Sequence, residues 1–156
     1  MQRPSSEPAR DGSGSHRPSR PVHLRPAFWG VVWVGGTAGT AARYLLNRAV
    51  PPVAGVPLGT LTINVAGAFA LGFLLEGLTR RGPDRGARRV LRLLLGTGFL
   101  GGFTTYSALA VDTDSLLRGG QVGHAIGYAG LTVLLGGAAS LAGIALAARR
   151  RRDPAC

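Results

Sequence analysis

Four long apolar segments constrain the fold of this chain more than any other feature. They cover about residues 27–46, 57–78, 90–111 and 123–148. Each is close to the length of about 20 residues that an α-helix needs to cross the hydrocarbon core of a membrane. Gly, Ala, Ser and Thr recur in all four, and these small residues let membrane helices approach closely. The sequence therefore predicts an all-α membrane protein with four transmembrane helices.

The basic residues lie mainly outside the apolar segments. All 18 are arginines, and the formal net charge is +11. Five lie in residues 1–26, six in the loop 80–92 and four in the tail 149–156, whereas the two opposite loops carry only Arg48 and Arg118. Because an excess of arginine marks the cytoplasmic side of a membrane, we expect both termini to be cytoplasmic and the chain to lie in the plasma membrane.

The composition also excludes several functions. Arginine clusters that border apolar segments indicate contact with anionic lipid headgroups, and the basic segments lack the interleaved aromatic residues that would stack on nucleic-acid bases. Cys156 is the only cysteine, so there is no disulfide framework or thiolate metal cluster. No set of nucleophile, base and orienting group is visible, so an enzyme is not predicted.

The two tails differ from the apolar body. Residues 1–26 are rich in Ser, Pro, Gly and Arg and are predicted to be a disordered basic tail. The apolar segment that follows is too long for a signal peptide and lacks a clear cleavage site. Residues 149–156 form a short basic C-terminal tail. The transmembrane domain is therefore expected to span residues 27–148.

Residues 101–107, Gly-Gly-Phe-Thr-Thr-Tyr-Ser, interrupt the third apolar segment near its middle. Glycine favours leaving the regular helix, and a backbone carbonyl released at this depth finds no partner in lipid. Such backbone is tolerated where it is buried in protein or lines a cavity, and its carbonyls can coordinate a cation. We therefore predict a break in the third helix and a candidate ion site there.

Polar side chains in the first two segments allow two interpretations each. Thr60 and Asn64 are four residues apart and share a helix face. Asn64 is either a hydrogen-bonding contact between helices or a ligand of a transported species. Arg43 lies near the end of the first segment, where it either extends toward the lipid headgroups or lines a vestibule.

The fourth segment carries a stripe of its own. Tyr128, Thr132 and Gly136 repeat every four residues. A row of hydroxyl donors could conduct a small anion, and a packing seam would show the same spacing. Glu76 and Asp112 fall near predicted helix ends, where solvated carboxylates are expected.

Three motifs together resemble the Fluc, or CrcB, family of fluoride channels. They are residues 35–44 (GGTAGTAARY), 59–69 (GTLTINVAGAF) and 98–107 (GFLGGFTTYS). The likeness covers about residues 28–148 and excludes both tails. It implies an antiparallel dimer with two pores, which passively exports fluoride from the cytoplasm and so relieves its toxicity. It also implies a Na⁺ ion at the dimer centre that is not transported.

The resemblance assigns roles to particular residues. The backbone carbonyls of Gly101 and Thr104 would bind Na⁺, and Asn64 corresponds to the pore asparagine. Fluoride is small and tightly hydrated, so its pore must replace water with amide, hydroxyl and ring-edge donors. The expected fluoride pathway comprises Asn64, Thr105, Tyr106, Ser107, Tyr128 and Thr132, with Arg43 and Asp112 at the vestibule.

The chain departs from the family pattern at two positions. The family usually has two phenylalanines three residues apart after the Thr-Thr pair, whereas here these positions are Tyr106 and Leu109. Leu109 offers no electropositive ring edge. Together with the arginine asymmetry, this leads to the hypothesis that the chain pairs with an oppositely oriented paralogue, although a homodimer stays open.

Two further functions remain as alternatives. A small four-helix, proton-coupled drug exporter would be of similar size, but it relies on a carboxylate in its first helix, which this chain lacks. A non-conducting membrane subunit is the other alternative, and Leu109 keeps it open.

Overall fold

The computed structural model describes residues 26–53 and 55–149. Of the two predicted tails, residues 1–25 and 150–156 lie outside this description. The described residues are almost entirely helical, with one isolated antiparallel bridge between Val53 and Val56, which confirms the all-α prediction. The elements are α1 (Pro26–Ala49), α2 (Leu58–Thr79), α3 (Ala87–Leu91), a π-helix (Arg92–Leu100), α4 (Gly101–Phe103), α5 (Tyr106–Arg118) and α6 (Val122–Arg149).

Three stretches of the described chain are long and apolar enough to cross a membrane. They are Leu58–Thr79, Ala87–Arg118 and Val122–Arg149, and the second of them runs from α3 to the end of α5. We call this second stretch the third span, after its place in the sequence. Helix α1 has 24 residues but is not among the three. Threonines and two arginines, Arg43 and Arg48, make it less apolar.

The helices pack in two pairs that meet along α2 and the third span. Helix α2 packs mainly against α6, and α1 packs against the π-helix and α4. Helix α5 contacts α6. Glycine makes both close approaches possible: a Cβ atom at Gly39 of α1 would overlap the carbonyl of Phe99, and one at Gly143 of α6 would overlap the carbonyl of Phe69. These two small residues therefore lie at helix contacts.

The π-helix was not anticipated from the sequence. Its wider turns, with hydrogen bonds from residue i to residue i+5, are rare and often occur near functional sites. It contains the buried residues Gly96, Gly98 and Leu100 and leads directly into α4. The segment that precedes the Thr-Thr pair is therefore helical but not a regular α-helix.

The loop between α2 and α3 is fixed by an ion-pair network. Asp84 accepts hydrogen bonds from Arg92 Nε at 3.1 Å and Arg92 Nη2 at 2.8 Å, and Arg89 Nη2 donates to its backbone carbonyl at 2.6 Å. The hydrogen bond from Arg92 is the largest cause that lowers the pKa of Asp84 below its ordinary value. Gly82 and Gly86 have φ values of 115° and 55°, which suit glycine in a tight connection.

Candidate polar site at the third span

Two threonines with extended backbone lie between α4 and α5 in the third span. Helix α4 ends at Phe103 and α5 begins at Tyr106. Between them, Thr104 has φ −76° and ψ 155°, and Thr105 has φ −151° and ψ 120°, so both are extended. Thr105 caps α5, because its Oγ1 accepts a hydrogen bond from the Ala108 N–H at 3.1 Å.

The glycines are helical and not extended, so the expectation that they leave the regular helix is wrong. Gly101 has φ −64° and ψ −35°, ordinary helical values. Gly102 is also helical, and a Cβ atom there would overlap the carbonyl of Gly36 in α1. Gly102 allows α1 and the third span to touch, whereas the N-cap preference of Thr105 favours starting a new helix.

Asn64 replaces the helical partners that Thr105 has lost. The Thr105 N–H donates to Asn64 Oδ1 at 2.8 Å, and Asn64 Nδ2 donates to the Thr105 carbonyl at 3.0 Å. Three residues further along α2, a Cβ atom at Gly67 would overlap the Thr104 methyl group. One face of α2 therefore receives the extended residues. The structure places Asn64 as a contact between helices, and the second hydrogen on Nδ2 leaves it able to act as a ligand as well.

Two backbone carbonyls next to the extended residues are left without their helical donors. In a continuous α-helix the Gly101 carbonyl would accept from the Thr105 N–H, and the Thr104 carbonyl from the Ala108 N–H. Both donors are engaged elsewhere, by Asn64 Oδ1 and by Thr105 Oγ1. Gly101 is exposed on the surface of the chain. Neutral carbonyl oxygens of this kind suit a hard cation such as Na⁺.

A second polar group surrounds Tyr128. Its hydroxyl donates to Asp112 Oδ2 at 3.1 Å, and Thr60 lies beside the same phenol. Tyr128, Thr60 and Thr132 are 4%, 4% and 3% exposed. Thr132 donates to the Tyr128 carbonyl at 2.7 Å, so its hydroxyl proton is used in a hydrogen bond within α6.

The prediction that Asp112 lies near a helix end is wrong. Helix α5 continues to Arg118, so Asp112 lies in its middle, partly buried and facing α6 through Tyr128. Thr60 was noted in the sequence but was not assigned to the site. Its four-residue spacing from Asn64 was the signal, because it places Thr60 on the same face of α2 one turn away.

The structure brings together some of the predicted site residues and separates others. Thr105 Oγ1 lies 3.1 Å from Ser107 Oγ, so Asn64, Thr105 and Ser107 form one group. Tyr106 is 82% exposed and belongs to neither group. Arg43 is partly buried in α1.

Leu109, the departure from the family pattern, faces inward. It is 8% exposed and lies in one apolar cluster with Tyr128, Leu116 and Ala125. It therefore packs beside the second polar group, while Tyr106 lies on the outer surface of the chain. The two positions at which the family usually has phenylalanine thus point in different directions in this chain.

Comparison with known proteins identifies the family. Residues 30–144 match the model of a family described as "CrcB-like protein, Camphor Resistance (CrcB)". The chain belongs to this CrcB-like family. This confirms the resemblance seen in the sequence. Because three of its helical stretches could also cross a membrane, this CrcB-like chain is a multi-pass membrane protein.

Curated relatives carry more specific names. A protein of Leifsonia xyli subsp. xyli named "Fluoride-specific ion channel FluC 2" is 58% identical over 134 residues, which cover 86% of this CrcB-like chain and 92% of the relative. "Fluoride-specific ion channel FluC 1" of Cutibacterium acnes is 50% identical over 127 residues, which cover 81% of this chain and 87% of the relative. "Fluoride-specific ion channel FluC" of Paracoccus denitrificans is 44% identical over 117 residues, which cover 72% of this chain and 88% of the relative.

Proposed function

We propose that this chain is a subunit of a passive, fluoride-selective channel that exports F⁻ from the cytoplasm. The names of its relatives support this function, and one observation carries it at the level of chemistry. Both ends of the Asn64 amide are held by the Thr105 backbone, at 2.8 Å and 3.0 Å. This fixes the remaining Nδ2 hydrogen in one direction, as a preoriented donor that could replace water around a small anion.

The fluoride pathway is proposed to follow the two polar groups along α2. Asn64 and Ser107 offer donors at the first group, and Thr60 with Tyr128 at the second. Four residues of α2 separate Asn64 from Thr60, or about 6 Å along its axis. The Tyr128 proton is engaged by Asp112, so its hydroxyl must reorient before it can donate to fluoride. Tyr106, on the outer surface, would serve a pathway only with its ring edge against a second subunit.

A structural Na⁺ ion is proposed at the carbonyl oxygens of Gly101 and Thr104. Support comes from the loss of their helical donors to Asn64 and Thr105. When bound, the ion supplies a fixed positive charge that compensates these carbonyls. Because Gly101 is exposed, the same ion could bind carbonyls of a second subunit, which fits the proposed antiparallel dimer with α1 as the remaining membrane helix.

The arginine distribution favours a heterodimer with an oppositely oriented paralogue. An antiparallel homodimer requires one sequence to insert in both orientations, and a strong arginine bias opposes this. The chain has fifteen arginines in its tails and central loop against Arg48 and Arg118 in the opposite loops. We therefore propose that both termini of this chain are cytoplasmic and that its partner is inverted.

Fluoride efflux from liposomes tests the function. The chain would be reconstituted with its paralogue, and efflux would be recorded with a fluoride electrode under a K⁺ gradient with valinomycin. We expect efflux of F⁻ and none of Cl⁻ from matched liposomes. Replacing Na⁺ throughout preparation by N-methylglucamine should reduce efflux. Equal F⁻ and Cl⁻ efflux would contradict the proposal, and no efflux under any pairing would favour a non-conducting subunit.

The exporter alternative makes a different demand. A small four-helix exporter of this kind relies on a carboxylate in its first helix, and α1 contains none. Efflux that requires a pH gradient, and not only a membrane potential, would favour the exporter. The proposed channel should run on the potential alone, which supplies about 2.3 kcal/mol per charge for each 100 mV.

A further inference from the structure

A cavity lies near the C-terminal ends of α2 and α6, and none of its lining residues belongs to either polar group. It has a volume of about 360 Å³ and opens where the end of α2, the start of the third span and the end of α6 meet. Two arginines, Arg80 and Arg81, line it together with Gly77. Its remaining walls are apolar: Phe73, Leu74, Leu78, Leu91 and Ala147.

The edge of this cavity is positively charged. Glu76 is the carboxylate nearest along α2, and it forms an ion pair with Arg80. Asp84, in the adjacent loop, is engaged by Arg92 and Arg89. Arg81 pairs with no carboxylate among the described residues. One guanidinium is therefore left uncompensated beside an apolar cavity.

We propose that this cavity binds an anionic phospholipid. The lipid phosphate lies at Arg81 and Arg80, and the upper part of an acyl chain lies along Leu78 and Leu91. A guanidinium offers a planar pair of donors that matches phosphate oxygens. Basic pockets between membrane helices bind acidic headgroups in this way. The apolar walls favour an amphiphile over free phosphate, which would leave them exposed to water.

Gly77 provides a way to close the cavity without disturbing the fold. A Cβ atom there would meet no heavy atom within 4 Å. Gly77→Leu should therefore fill the cavity while α2 keeps its packing against α6. Gly30 in α1 is equally open and lies outside the cavity, so Gly30→Leu is the matched control.

Native mass spectrometry of the full-length chain in detergent tests the site. The protein is titrated with phosphatidylglycerol or with phosphatidylcholine of the same acyl chains. We expect phosphatidylglycerol to bind more tightly, and Arg81→Gln to weaken it about fivefold, the effect of one arginine at a membrane surface. Gly77→Leu should remove the bound lipid. Arg85→Gln, in the same loop but outside the cavity, and Gly30→Leu should bind as the wild type does.

Four outcomes would overturn the proposal. Equal binding of the two lipids would show that the anionic headgroup is not recognised. An equal loss of binding in Arg85→Gln and Arg81→Gln would show a general effect of charge and not a site at Arg81. Tight binding of glycerol phosphate alone would assign the cavity to a free anion. Undiminished binding by a folded Gly77→Leu protein would place the lipid elsewhere. If this variant fails to fold, the comparison of Arg81→Gln with Arg85→Gln still decides.

Discussion

Asn64 joins α2 to the third span through both ends of its side-chain amide. Its Oδ1 accepts from the Thr105 N–H, and its Nδ2 donates to the Thr105 carbonyl, 41 positions away in the chain. An asparagine in an apolar segment serves either as such a contact between helices or as a ligand. Both roles are compatible once the two hydrogen bonds are counted, since one amide hydrogen remains.

Asn64→Asp tests this arrangement. The substitution keeps the shape of the side chain but places an acceptor against the Thr105 carbonyl, which loses its donor. We expect a loss of about 1–3 kcal/mol in the free energy of unfolding, measured by denaturant titration in detergent. Fluoride efflux should fall by about tenfold or more, since a hydrogen bond to a charged group contributes about 1.5–3 kcal/mol.

The control is Asn47→Asp, at the other asparagine of the chain, which is exposed in α1. It should change stability by less than about 0.5 kcal/mol. Wild-type stability and efflux in Asn64→Asp would show that the hydrogen bond from Asn64 Nδ2 to the Thr105 carbonyl is not needed for either property.

Tyr128→Phe tests the second polar group. The ring stays in its buried place, but the Asp112 carboxylate loses the donor that the Tyr128 hydroxyl provides. We expect a destabilisation of about 1–3 kcal/mol, the cost of leaving a buried polar group without a partner. Thermal unfolding in detergent measures it.

Tyr106→Phe provides the comparison for this tyrosine. Tyr106 is 82% exposed, and the substitution keeps its ring. The thermal midpoint of the Tyr106→Phe protein should therefore match that of the wild type. A larger loss of thermal stability in Tyr106→Phe than in Tyr128→Phe would show that the buried hydroxyl contributes less to stability than the exposed one.

At the level of elements, the extended residues of the third span are Thr104 and Thr105, whereas the sequence analysis had assigned the interruption to the glycines. Hydroxyl residues at membrane depth were the correct signal, and Thr105 is the cap that starts α5. The glycines misled because glycine has two common uses, conformational freedom and close approach. Only the position of Gly36 in α1, opposite Gly102, distinguishes them. The π-helix was beyond prediction, since no residue pattern marks it.

Gly39→Ala tests the close approach of α1 to the third span. A methyl group at this position would overlap the Phe99 carbonyl and lie 3.0 Å from the Phe103 nitrogen, so the backbone must shift. We expect a destabilisation of about 1–3 kcal/mol, typical of overpacking. Gly30→Ala, which meets open space, should be neutral or stabilising by about 0.5–1 kcal/mol, because alanine favours helix.

These two variants are compared by thermal unfolding in the same detergent. Equal midpoints would indicate that α1 can move away from the third span at little cost. Such a result would also weaken the view that α1 positions the residues before Thr104.

For the whole molecule, the all-helical architecture followed from hydropathy, whereas the pairing of the helices did not. The four apolar segments predicted the helical body, because a helix is the only open-ended structure that satisfies its own backbone in lipid. Contact between α2 and α6 depends on Gly72 and Gly143 lying against backbone atoms of the facing helix, which no single segment reveals. The charge asymmetry, by contrast, is a property of the whole sequence and carries its own prediction about assembly.

If arginine bias forces one orientation, removing the bias should make this chain active by itself. A variant with glutamine for the arginines of residues 1–25 and 149–152, and for Arg81 and Arg85, keeps four arginines on that side against two on the other. It retains the Asp84 network of Arg89 and Arg92. The variant should insert in both orientations, because the positive-inside preference follows the difference between the loops.

Reporter fusions at either terminus measure this orientation, and liposomes that contain only this chain measure efflux. The wild-type chain should give one orientation and little efflux alone, and the variant should give mixed orientation and clear efflux. A control with lysine at the same positions keeps the positive charge and should behave as the wild type does. Strong efflux from the wild-type chain alone would mean that antiparallel pairs form despite the bias. In that case the oppositely oriented paralogue is unnecessary, and Leu109, buried against Tyr128, would be compatible with a working pore.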